Sequence, residues 1–219
     1  MTPDYDNAAI KATETLLKYR VSTAPVMPLR ILKSMRGVIV LSFAEMADTM
    51  GVDRQTAVHL FGDANQDAAT IVKRVDDKLR YVIAYNQRLP LYLLQRSLAR
   101  ELGHIVLQHD GSRPDDVRTE EVITFARYFL CPRPLVRAMQ DAGVTLTVEL
   151  IGNMTGCYER CLAGLRKTPG AHVPAELNRL VKEQFHDYIE NFLDFHRFIA
   201  PEDHSAVVDF GTYMDNYED

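Results

Sequence analysis

The residues best placed to do chemistry lie in one short stretch, Arg100-Glu101-Leu102-Gly103-His104. On a helix, a glutamate and a histidine three apart share a face. The pair matches the last four positions of H-E-x-x-H. In that pattern two histidines hold one zinc ion and the glutamate polarises its bound water. The first position here is Arg100, not histidine. Alone, Glu-x-x-His is common on helices as a solvated pair. Its surroundings add weight: Gly103 lets a helix pack closely, Ile105, Val106 and Leu107 are apolar, and His109 follows. A second helix carries Glu121 near its start. A catalytic zinc needs three protein ligands and an open position, and Glu121 is a candidate for the third.

Several elements must position these side chains. Hydrophobic periodicity predicts helices over residues 8–19, 29–35, 54–60, 91–109, 119–130, 135–142, 147–154, 157–165 and 174–198. Ser42 and Glu45 have capping-box spacing and open another helix, to about Met50. The β-branched run 38–41 reads as a strand. So do residues 70–72 and 80–85, which form a hairpin. The expected class is α+β: a small antiparallel sheet packed with a mainly helical body and extra C-terminal helices. Breaks near Gly143 and Pro201 suggest a unit over 1–142, a helical extension over 143–200 and an acidic tail over 201–219.

Composition narrows the classes. The chain has 219 residues, 47% hydrophobic, with net charge −5. That is enough to bury a core, and it gives no global attraction to nucleic acid or anionic membrane. Cys131, Cys157 and Cys161 are too few for a disulfide framework and fit a reducing compartment. No apolar run reaches the ~18 residues of a membrane span. The polar, acidic N-terminus lacks the marks of a signal peptide. A soluble, cytoplasmic protein is expected.

Taken together, three segments resemble the ImmA/IrrE family of zinc metallopeptidases, common on phages and other mobile elements. The family pattern is a strand ending I-x-Y-N, then R-x-x-x-A-H-E-L-G-H-x-x-L-x-H, then E-x-x-x-F-A-x-x-L-L-x-P. The chain has Val82-Ile83-Ala84-Tyr85-Asn86, then Arg96 through His109, then Glu121-Val122-Ile123-Thr124-Phe125-Ala126 ending in Leu130-Cys131-Pro132. The resemblance covers about residues 15–140 and implies a zincin-like fold. It implies His104 and Glu121 as metal ligands and Glu101 as catalytic base. Arg100 stands at the position of the first zinc histidine. Val122 and Ile123 depart from the small residue and Asn or Asp usual after the ligand glutamate.

Arginine stays protonated and does not ligate zinc. The remaining two ligands fall short of three, so no cofactor is expected, or zinc if the site is functional. The physical alternative is that Arg100 pairs with Glu121 and Glu101, with His104 hydrogen-bonded. His109, five residues after His104 on a continuous helix, lies off its face and is no substitute ligand. His59, His172, His186, His196 and His204 lack ligand spacing. Tyr128 shares the Glu121 face and reads as core or rim rather than as an oxyanion donor.

Residues 43–61 and 147–165 resemble helix-turn-helix units. Few cations sit on them, so ordinary packing is the preferred reading over DNA contact. Three functions stand in order. The first is a regulatory pseudo-peptidase of a phage or mobile element that binds a protein partner such as a repressor. The second is an active zinc metallo-endopeptidase cleaving a repressor. The third is a DNA-binding regulator acting through the C-terminal helices.

Overall fold

A computed structural model describes residues 1–61, 67–76, 78–109, 112–156 and 170–199. The expected helix over 157–165, the tail over 201–219, Cys157, Cys161 and His204 lie outside the described residues.

Helix α1 spans Tyr5–Lys18 and α2 spans Pro28–Ser34. Strand β1, Val38–Ser42, runs straight into α3, Phe43–Met50. The capping box forms as its spacing predicts: Ser42 Oγ accepts from the Glu45 N–H, and the Glu45 carboxylate accepts from the Ser42 N–H. Gly51, at φ 64°, closes α3 in the left-handed region where a Cβ would be strained. Helix α4, Arg54–Phe61, follows. The α3–turn–α4 unit packs inward: Phe43, Met46, Ala47 and Ala57 form a small core with Ala84.

Strands β2, Ala68–Val75, and β3, Lys78–Tyr85, make the expected antiparallel hairpin. Strand β1 lies on the other side of β3 and runs parallel to it, Val38 opposite Tyr81 and Ser42 opposite Tyr85. The sheet order is therefore β1-β3-β2, and the sheet is mixed rather than wholly antiparallel. A parallel neighbour needs a crossover connection; here α3 and α4 lie in the stretch of chain between β1 and the hairpin. Strand β3, the central one, is accordingly the most buried, with Tyr81, Ile83, Ala84 and Tyr85 all buried.

Helix α5 spans Leu91–Val106 and α6 spans Asp115–Leu130. Leu98, Leu102 and Ile105 recur at helical spacing and are buried together. The α5–α6 contact is close at Gly103, where a Cβ would meet the Phe125 ring at 3.1 Å. Helix α1 packs on α6 through the small residues Ala8, Ala9 and Ala12, all fully buried. Then come α7, Arg133–Asp141, and α8, Val148–Thr155, capped by Thr147. The predicted long helix over 174–198 is two, α9, Ala175–Gln184, and α10, His186–Ile199. Val181, Phe185, Ile189 and Leu193 from this pair enter the same core as α1, α6 and α7. The class is α+β. Among the described residues no helix is long and apolar enough to cross a membrane.

Candidate functional site

Ser97, Glu101 and His104 follow the i, i+4, i+7 spacing along one face of α5. That face looks toward β2, and the Thr70 hydroxyl donates to Glu101 Oε2 at 2.6 Å. Burial pushes the Glu101 carboxyl above its ordinary range; Thr70 and the nearby Arg100 charge oppose the shift. Burial also drives His104 down to about 4, aided by His109 and by the positive fields of Arg100 and Arg118. Both groups are thus biased toward their neutral forms.

Sequence periodicity carries α5 to His109, but the helix stops at Val106. Gln108 takes a left-handed conformation, φ 55°, and the chain folds back so that the His109 N–H donates to the His104 carbonyl at 3.0 Å. This turn brings His109 beside His104 rather than off its face. The two Nδ1 atoms are 3.1 Å apart, and the rings meet edge to face. His109 is buried, and its Nε2 lies 2.9 Å from Glu121 Oε2. Burial lowers its pKa, against the pull of Glu121.

Proton positions follow from the acceptor at the end of this row. The Glu121 carboxylate accepts only, which assigns a proton to His109 Nε2. A neutral His109 then accepts at Nδ1, so His104 donates from its own Nδ1. The order is His104 to His109 to Glu121, three groups in series.

Glu121 is 2% exposed and holds two further donors on its other oxygen. Arg113, from the loop before α6, donates to Oε1 at 2.5 Å, and the Asp4 backbone N–H donates to the same atom at 2.9 Å. Asp4 is also the N-cap of α1, its side chain accepting from the Asn7 N–H. Glu121 therefore joins three separated stretches: the start of α1, the end of α5 and the loop ahead of α6.

The expected pairing of Arg100 with Glu121 and Glu101 is not what forms. Arg113 takes Glu121, and Thr70 takes Glu101. Arg100 precedes Glu101 by one residue, so its Cβ points about 100° away around the helix. It stands one turn before His104 and acts on His104 and Glu101 through its charge.

The sequence reading placed Glu101, His104 and Arg100 on one helix and Glu121 on the next, and the structure holds them in those elements. It did not find Arg113, Thr70 or the Asp4 backbone. The only available signals were an arginine in the loop between two candidate ligand helices and a threonine on a strand beside the α5 face. Tyr128 proves structural: its hydroxyl donates to the Ala171 carbonyl at 3.0 Å and accepts from the Ala171 N–H at 3.2 Å.

A peptidase zinc requires convergent donors. Here Arg100 presents a cation where the first nitrogen belongs, His109 stands between His104 and Glu121, and both Glu121 oxygens serve protein donors. This donor set does not fit that ion. Among the described residues no group of three or more His, Cys, Asp or Glu is disposed to hold a metal.

Residues 54–150 match the family model described as IrrE N-terminal-like domain, Peptidase_M78. That span contains the sheet hairpin, α5, α6 and the row of side chains from His104 to Glu121. No curated protein and no solved structure matches the chain.

Proposed function

Since the chain belongs, through residues 54–150, to the ImmA/IrrE metallopeptidase family, we propose that it is a regulatory pseudo-peptidase. It keeps the frame of a zinc peptidase and binds a protein partner, such as a repressor of a phage or mobile element, without cutting it. One observation carries this reading. The carboxylate at the third ligand position, Glu121, is engaged by His109, Arg113 and the Asp4 N–H, and the first ligand position is Arg100. Glu101, at the place of the family's general base, is instead bonded to Thr70. Metal-assisted hydrolysis needs a metal-bound water beside such a base, and the donors to create one are not assembled.

The family itself is zinc-dependent, which keeps an active endopeptidase as the second reading. Zinc stoichiometry separates the two. The purified chain is equilibrated with zinc, freed of excess and assayed for metal, with its fold checked in parallel. Near-zero zinc in a folded chain, together with an intact repressor after prolonged incubation, supports the pseudo-peptidase. One tightly held zinc per chain with cleavage of the repressor overturns it.

A further inference from the structure

We propose that the acidic tail, residues 201–219, docks on the uncovered part of the sheet's outer face and closes it to other proteins. This goes beyond the reading above and stands whether or not the chain holds zinc.

Side chains alternate between the two faces of a strand, and the registers sort them. Thr70, bonded to Glu101 of α5, marks the inner face. Ile71 therefore points outward. So do its partner Val82 and Ile39, which stands opposite Val82 on β1. These three make one apolar row across all three strands. The next outward row pairs Lys73 with Arg80, and the one after it pairs Val75 with Lys78.

The cover on this face is incomplete. At one end α3 and α4 close over it: Ala84 is fully buried with Phe43, Met46 and Ala57, and Leu41 and Val82 pack against that group. Past Val82 the cover stops, leaving Ile39 55%, Ile71 45% and Val75 39% exposed. Apolar surface rimmed by polar groups marks an interaction site, and the rim here is basic. Lys73, Lys78 and Arg80 are exposed, and among the described residues no ion pair or hydrogen bond engages their side chains. Asp76 lies in the turn, beyond the paired registers.

An occupant must bring apolar side chains and carboxylates together. A second copy laid face to face fails, since it would set Lys73, Lys78 and Arg80 against their own kind. A phosphate backbone leaves the apolar row without a partner. The tail supplies both: Val207, Val208 and Phe210 stand between Asp203 and Asp215, and residues 201–219 include no Lys or Arg. Helix α10 ends at Ile199, and residues 200–219 span up to about 66–72 Å when extended. A compact chain of this length has a radius of gyration of about 17 Å, so the face is within reach. Attachment to the same chain also gives the tail a high effective concentration, which any partner for this face must overcome.

The test uses the full chain and a carbodiimide, which joins a lysine amine to a carboxylate in contact with it. Unlabelled and isotope-labelled chains are mixed in equal amounts, and the linked peptides are read by mass spectrometry. The expected result is links from tail carboxylates to Lys73 and Lys78 within one copy. Raising salt to about 1 M, where the Debye length falls to about 3 Å, should cut them at least about tenfold. Arg80→Glu and Ile71→Asp, each checked for an unchanged melting temperature, should cut them severalfold. Arg74→Glu, the same charge change one residue along on the inner face, should leave them intact. Tail links to Lys11, Lys18 or Lys182 in place of Lys73 and Lys78, links formed only between copies, or equal losses from Arg74→Glu and Arg80→Glu would each overturn the assignment. So would the absence of any link to Lys73 or Lys78.

Discussion

Replacing Glu121 by alanine tests whether this carboxylate is a structural hub. The variant strands three donors. Two are buried or backbone groups, His109 Nε2–H and the Asp4 N–H, each 2.9 Å from a Glu121 oxygen. A hydrogen bond to a charged group contributes about 1.5–3 kcal/mol, so these two account for about 3–6 kcal/mol. The third, Arg113, is 41% exposed; its ion pair is screened by water and adds under about 1 kcal/mol. Partial relaxation and water entry trim the sum, so Glu121→Ala is expected to cost about 3–5 kcal/mol, as for other broken buried pairs. For a chain of this size that lowers the melting temperature by about 6–20 °C. Glu121→Gln keeps an acceptor for Asp4 and, with His109 in its other tautomer, a donor to His109 Nε2; it should cost about 1–3 kcal/mol. Arg113→Ala should cost less than about 1 kcal/mol. Urea unfolding of the four proteins, all treated with chelator, reads these differences directly. A Glu121→Ala variant within about 0.5 kcal/mol of the parent, the range of a neutral surface change, would refute the hub.

Other outcomes follow from the same geometry. His104 is held near 4, below its ordinary 6.5, so its contribution to stability is present above pH 6.5 and is lost as pH falls toward 4. Glu101, raised by burial, acts in the opposite sense, losing stability as pH rises through its ordinary 4.5 and beyond. The difference between parent and His104→Gln melting curves from pH 7 to 4 isolates the first effect: the variant should show the shallower acid loss, and parallel curves would contradict it. Thr70→Val removes the donor to Glu101, should cost about 1–2 kcal/mol, and should raise the Glu101 pKa further in an NMR titration. Gly103→Ala forces a methyl against the Phe125 ring at 3.1–3.4 Å, and overpacking at this contact should cost about 1–3 kcal/mol in denaturant unfolding. Arg100→His rebuilds the H-E-x-x-H spacing but leaves Glu121 engaged, so zinc retained after gel filtration should stay well below one per chain; a full equivalent would show that Glu121 swings free.

Much of the frame was legible because local chemistry wrote it. Ser42 and Glu45 announce the start of α3, and Gly51 its end. The leucine spacing of α5 sets its buried face, and the lack of a side chain at Gly103 permits its approach to α6. The polar network was not legible, because it depends on backbone geometry that residue types do not encode. His109 reaches His104 only because Gln108 adopts a left-handed turn, in a residue with no special preference for one. The Asp4 contact is made by a main-chain N–H, which any residue but proline supplies. Opposite charges on adjacent helices suggest a pair between Arg100 and Glu121, yet Arg113 from the loop makes that contact. The parallel placement of β1 is likewise set by where α3 and α4 carry the chain, not by anything in the strand itself. The core that Val181, Phe185 and Ile189 form with α1 and α6 is assembled from residues distant in sequence, so no local pattern announces it.

The row from His104 to Glu121 also bears on how the protein can be supplied in a cell. A domain that relies on a metal to neutralise a buried carboxylate must compete for that metal while it folds, and its yield follows the available pool. Here the neutralising groups are encoded in the same chain: an arginine, an imidazole N–H and a main-chain N–H close on Glu121 as the helices dock. On the proposed reading, folding does not draw on the zinc pool, and the yield of folded chain should be equal from zinc-depleted and zinc-supplemented medium. A chain that carries its own counter-charges in this way would keep a steady dose under zinc starvation, where a metal-loaded relative would fade.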